Sequence, residues 1–128
     1  MLRPKALDHV GLIVSDVDRS VRFYEALGLE LLRRSEPGSG RSAAVLKVGD
    51  QEINIFCNPE LIEASRDQAQ KIDHLCLMME SATIDDLIGA LREAGLDIVR
   101  GPVKRRDGAA VFLNDPDGVR VELQIRDA

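Results

Sequence analysis

The chain's two histidines lie 65 residues apart in matching frames, Leu7-Asp8-His9-Val10 and Ile72-Asp73-His74-Leu75, and each opens an apolar run with strand-like alternation. The match continues downstream. Gly28-Leu29-Glu30-Leu31-Leu32-Arg33 meets Gly95-Leu96-Asp97-Ile98-Val99-Arg100 at an offset of 67, and Asp50-Gln51-Glu52-Ile53-Asn54-Ile55 meets Gly118-Val119-Arg120-Val121-Glu122-Leu123 at 68. A period of about 65 residues constrains the fold before any single element is assigned, because the same local structure must be built twice, each copy with one apolar face to cover.

Each copy reads as strand, helix and three strands, an α+β protein of two tandem βαβββ modules. Alternation over residues 7–14 predicts the first strand. Ser15 or Asp16 offers an N-cap for a helix carrying Val17, Val21, Tyr24 and Leu27 on one stripe, with Gly28 as its C′ residue. Tyr24 and Phe23 read as core. Strands follow at residues 29–33, 43–48 and 52–57, separated by Pro37-Gly38-Ser39-Gly40 and by Gly49-Asp50. The second copy repeats the pattern: a strand at residues 72–79, a helix capped by Thr83 with Ile84, Leu87, Ile88, Leu91 and Ala94 inward, a stop at Gly95, and strands at 97–100, 109–113 and 119–125. Asn114-Asp115-Pro116-Asp117-Gly118 is a strong turn, with proline fixing φ and glycine available for positive φ. The expected organisation is one domain over residues 1–128, with module one at 5–57, a polar linker at 58–71 and module two at 72–126.

Composition narrows the function classes. With 128 residues, 45% hydrophobic and 30% charged, the chain can bury a core without staples. A net charge of −5 argues against nucleic acid and anionic membranes, whose sequence-independent attraction needs excess Lys and Arg. Small molecules are the expected partners. No apolar stretch approaches the roughly 20 residues of a membrane span, and Met1-Leu2-Arg3-Pro4 leads into the first strand without a signal-peptide h-region, so a cytoplasmic protein is expected. Cys57 and Cys76 lack C-x-x-C spacing and read as packing residues, Cys76 with the option of lining a cavity.

Period-two alternation sorts each strand into two faces. Val10, Leu12 and Val14 must lie under the first helix, which turns His9, Gly11 and Ile13 away from it. Leu75, Leu77 and Met79 do the same for His74 and Cys76. In the final strands of the modules, Ile53 and Ile55, and then Val121 and Leu123, point inward, leaving Glu52, Asn54, Arg120 and Glu122 on the other face. The duplication thus brings His9, Asn54, His74 and Glu122 to non-helical faces. Two imidazoles and a carboxylate with positions left open suit Zn²⁺, Ni²⁺, Mn²⁺ or Fe²⁺. Asn54 either adds a neutral amide oxygen or holds a water, and Glu52, two residues away on the same face, is a candidate base. A cation so held binds two neighbouring oxygens of a substrate and stabilises an enolate or oxyanion as a Lewis acid. Lys104-Arg105-Arg106 reads as a solvated loop before a turn, with an anion clamp as the alternative, and Arg41 and Arg120 allow the same two readings.

Leu7-Asp8-His9-Val10-Gly11-Leu12, Phe23-Tyr24, Leu27-Gly28-Leu29, Ile72-Asp73-His74, and Asp115-Pro116-Asp117-Gly118 before Val121-Glu122-Leu123 together resemble the glyoxalase, bleomycin-resistance and dioxygenase superfamily, the vicinal oxygen chelate proteins. Gly49-Asp50-Gln51-Glu52-Ile53-Asn54 and Gly101-Pro102-Val103 are similar to a glyoxalase-domain or virulence-associated branch of it. The resemblance implies paired βαβββ modules in a curved, mixed eight-stranded sheet with helices on its outer face, a homodimer, and His9, His74 and Glu122 as ligands of a divalent metal. It implies that modules pair either within a chain or across a dimer. Glyoxalase I carries a glutamate where this chain has Asn54, which argues against isomerisation of a glutathione hemithioacetal. Residues 53–59 do not match the epimerase branch, extradiol dioxygenases use a further histidine, and metal-free drug-sequestering members lack the triad retained here. The expected function is therefore a metal-dependent lyase or isomerase acting on adjacent oxygens of a small substrate. The alternatives are an Fe²⁺ extradiol-type dioxygenase, which aerobic oxygen uptake with catechols would reveal, and a ligand-sequestering resistance protein.

Overall fold

The computed structural model describes residues 3–35, 42–57 and 72–126. The expected linker at 58–71, the turn around Gly38 and Arg41 lie outside them. The chain divides after residue 69 into two compact units. The first contains β1 (His9–Ile13), α1 (Val17–Ala26), β2 (Glu30–Arg34), β3 (Ser42–Val48) and β4 (Gln51–Cys57). The second contains β5 (Leu75–Met78), α2 (Ile84–Glu93), β6 (Arg100–Arg105), β7 (Gly108–Asn114) and β8 (Arg120–Arg126). Each unit forms one four-stranded mixed sheet, ordered β1-β4-β3-β2 and β5-β8-β7-β6. The tandem βαβββ architecture expected from the repeat is the one observed.

The capping residues do what their chemistry predicts. The Asp16 side chain accepts from the Arg19 backbone N–H at the start of α1, and Thr83 Oγ1 accepts from the Asp86 N–H at the start of α2. Beyond each helix Gly28 (φ +99°) and Gly95 (φ +74°) take the left-handed turn that stops it. Val17, Val21 and Tyr24 of α1 are buried with Ile53 and Ile55 of β4, and Leu87 and Leu91 of α2 are buried, as are Val111 and Leu113 of β7 and Val121 and Leu123 of β8. Ala94 is not part of the inward stripe; it is the C-cap of α2 and is exposed.

The strand limits shift by one or two residues in most cases, β1 to His9–Ile13 among them, and two strands differ more. β5 begins at Leu75 rather than 72, so His74 stands just before the first paired residue. The sixth strand covers Arg100–Arg105 instead of ending at Arg100, and Arg105 is thus a strand residue rather than part of a loop. A register irregularity between Arg100 and Val103 takes up Gly101 and Pro102, whose missing N–H is tolerated because β6 is the edge strand of its sheet. The strong turn is also built as its sequence predicts. Asp115 is buried, its Oδ1 accepts from the backbone N–H groups of Asp117 and Val119 at 2.9 and 2.8 Å, and Gly118 has φ +85°.

Candidate functional site

Strand register in the second unit lines up one residue from each strand. Arg100 of β6 faces Phe112 of β7, Phe112 faces Glu122 of β8, and Glu122 faces Cys76 of β5. By alternation this row lies on the face opposite Val111, Leu113, Val121 and Leu123, and His74, two residues before Cys76, joins it. Glu122 is the chemical centre of the row. Its side chain is only 6% exposed, its Oε1 accepts from Arg105 Nη2 at 2.9 Å, and the same oxygen lies 3.6 Å from His74 Nε2. A carboxylate withdrawn this far from water needs a cation beside it, and Arg105 supplies one. The Cys76 Sγ lies 3.6 Å from Glu122 Oε2. Burial first, and then the neighbouring carboxylate, push this thiol up to about 11, so at neutral pH it is a proton-bearing neighbour of Glu122 and not a thiolate ligand or nucleophile.

The first unit repeats the row with different chemistry. Gly11 faces Asn54, Asn54 faces Val45, and Val45 faces Arg33, so Asn54 occupies the place that Glu122 has in the second copy. The Asn54 Oδ1 is buried and has no hydrogen-bond partner among the described residues. A buried amide oxygen left in that state is an acceptor aimed at something not supplied by its own strand neighbours. Glu52 faces His9 across the parallel pair and lies 3.7 Å from Arg33 Nη2.

The two histidines are held identically. Asp8 Oδ2 lies 2.8 Å from His9 Nδ1, and Asp73 Oδ2 lies 2.7 Å from His74 Nδ1. A carboxylate oxygen accepts, so Nδ1–H donates and, in the neutral ring, the lone pair is left on Nε2. This is the arrangement that metal-binding imidazoles adopt, with a carboxylate fixing tautomer and ring plane from behind. Donor type therefore fits a divalent cation: Nε2 lone pairs on His9 and His74, the buried Glu122 carboxylate beside the latter, and the unpaired Asn54 oxygen. Within either unit, among the described residues, no three His, Cys, Asp or Glu side chains gather into a ready-made cluster.

Residues 6–123 match the Glyoxalase/Bleomycin resistance protein/Dioxygenase superfamily. The chain belongs to that superfamily. A virulence protein of Salmonella typhimurium is 33% identical over 123 residues, 91% of this chain and 81% of that protein. The crystal structure of that virulence protein matches with a TM-score of 0.71 at 27% identity, covering 98% of this chain and 99% of the other. A lactoylglutathione lyase of the same organism is 33% identical over 121 residues, covering 90% and 88% of the two chains. A metallothiol transferase of Staphylococcus epidermidis is 26% identical over 119 residues, covering 92% and 80%.

Against this superfamily background, the sequence reading missed the roles of four residues. Asp8 and Asp73 had a visible signal, since each directly precedes a histidine in the repeated frame. Phe112 and Arg100 had none: their row is set by strand register, which the alternation of a single strand does not reveal. Among the described residues no helix is long and apolar enough to cross a membrane.

Proposed function

We propose that this superfamily member is a metal-dependent enzyme, a lyase or isomerase acting on a small substrate that offers two adjacent oxygens. His9, His74 and Glu122 would hold a divalent cation, Zn²⁺, Ni²⁺, Mn²⁺ or Fe²⁺, in a single domain built of both modules that works as a homodimer in the cytoplasm. The observation that carries this reading is the duplicated Asp–His pair, Asp8–His9 and Asp73–His74, with the Nε2 of His74 turned toward the buried Glu122. When bound, the cation supplies Lewis acidity toward the paired substrate oxygens.

The protein's own residues do the rest. Asp8 and Asp73 fix each ring so that Nε2 is the donor atom. Asn54 presents its amide oxygen to a proton donor, orienting a water or a substrate hydroxyl. Glu52 takes the proton from the substrate carbon or from that water, with Arg33 beside its carboxylate. Arg105 balances the charge of the buried Glu122 carboxylate, which would be one of the residues holding the cation.

Elemental analysis of protein purified without a histidine tag tests the proposal, and it is to be repeated on His74→Ala. A stoichiometric divalent metal in the wild type and its loss in the variant are expected. Wild-type protein lacking metal after exposure to Zn²⁺, Ni²⁺, Mn²⁺ and Fe²⁺, or metal content unaltered by His74→Ala, would refute it.

A further inference from the structure

The duplication supplies an internal control for charge. Arg33 and Glu52 occupy, in copy one, the positions of Arg100 and Arg120 in copy two, at offsets of 67 and 68. In copy one the two positions form an ion pair, Arg33 Nη2 to Glu52 Oε1 at 3.7 Å. In copy two both are arginine. Their guanidinium carbons lie 5.0 and 5.9 Å from the centre of the Phe112 ring, with that of Arg105 at 5.6 Å. Three cations thus share one aromatic ring.

The nearby carboxylates do not balance them. Glu122 is engaged by Arg105, and Asp73 is engaged by His74. Arg120 Nε donates to the neutral amide oxygen of Asn114 at 3.0 Å, and Arg100 has no carboxylate partner among the described residues. Arg120 also lines an open cleft of about 350 Å³ with Ile72, Asp73 and Gly118. In a protein of net charge −5, a local surplus of unpaired guanidinium groups is the reverse of the bulk balance. Guanidinium forks match planar and tetrahedral oxyanions.

We infer that Arg100 and Arg120, arranged around Phe112, form a subsite for an anionic group of the ligand, a carboxylate or a phosphate-type oxyanion, next to His74 and Glu122. The inference rests on the functional reading above in one respect, that the anion held there belongs to the substrate; the binding itself requires only the second unit's own residues. The second module therefore anchors the charged end of the ligand, and copy one, with its self-neutralised pair, does not.

Binding of inorganic phosphate and of malonate to EDTA-treated protein, measured by titration calorimetry at low and at physiological salt, tests the subsite. At least one of the two anions binds, more weakly at higher salt, and which one binds distinguishes a tetrahedral from a planar group. Arg120→Glu, which recreates the charge pattern of copy one, weakens that binding by about tenfold or more, and Arg100→Gln weakens it in the same direction. Circular dichroism melting identifies a variant that fails to fold, and the other then decides. Failure of both anions to bind wild type, or unchanged affinity in the folded variants, overturns the subsite. Because the titration is done without metal and metal content is measured separately, loss of the chelation proposal and loss of the subsite are read independently.

Discussion

A single histidine on a strand has many uses, and what raises His9 and His74 above that background is the aspartate behind each. Asp8 and Asp73 fix the Nδ1–H tautomer, so the outward Nε2 is a donor atom by construction and not by accident of packing. Glu122 and Cys76 show the same logic from the opposite side. Burial first, and then the carboxylate, raise the thiol to about 11, so Cys76 holds its proton throughout the physiological range. A raised value means less thiolate at any pH below it. In a Cys57→Ser background with EDTA present, Cys76 is expected to react with iodoacetamide at pH 8 about a hundredfold more slowly than an unperturbed cysteine, with the rate climbing until about pH 11. Glu122→Gln removes the carboxylate's contribution and speeds the reaction. Alkylation of Cys76 at an ordinary thiol rate in the Cys57→Ser protein with Glu122 intact would contradict this account of the site.

At the scale of elements, the sequence was most legible where backbone chemistry is local. Asp16 and Thr83 as caps, Gly28 and Gly95 as stops, and the inward stripe of α1 follow from residues that interact with their immediate neighbours. The limits of β5 and β6 were not legible because they depend on pairing partners. Gly101-Pro102 reads as a break in isolation, yet an edge strand with a register irregularity accommodates it. The turn between β7 and β8 lies between these cases: its type is local, but its consequence is not, since it sets where Arg120 and Glu122 fall against Asn114 and Phe112. Asp115→Ala deletes the buried acceptor of two backbone N–H groups and is expected to lower stability by about 2–3 kcal/mol in urea titration, whereas Asp115→Asn, which keeps one oxygen acceptor, loses less. Equal effects of the two substitutions would show that the side-chain oxygen is not what holds the turn.

For the whole molecule, the repeat was legible because two copies of one pattern are compared with each other and need no outside reference. What the repeat alone does not state is how the copies have diverged: Asn54 against Glu122 and Glu52 against Arg120 are seen as one position with two chemistries only when register shows that the paired residues occupy the same positions in their sheets. Under the proposed function, one module contributes His9 and the other His74 and Glu122 to a single cation, and this has a thermodynamic signature. A ligand at a hundred times its Kd stabilises the folded state by about 2.7 kcal/mol, and removing any one of a small set of ligands forfeits most of that gain. Zn²⁺ is therefore expected to raise the melting temperature of the wild type and to leave His9→Ala and His74→Ala unmoved, with the double variant losing no more than either single one, because two histidines serving one ion are not additive. Independent sites would instead give two half-sized losses that sum. Mixing the two single variants and allowing chains to exchange then separates the possible pairings of modules, since a site shared between two chains recovers Zn²⁺ stabilisation in the mixed dimer and a site confined to one chain does not.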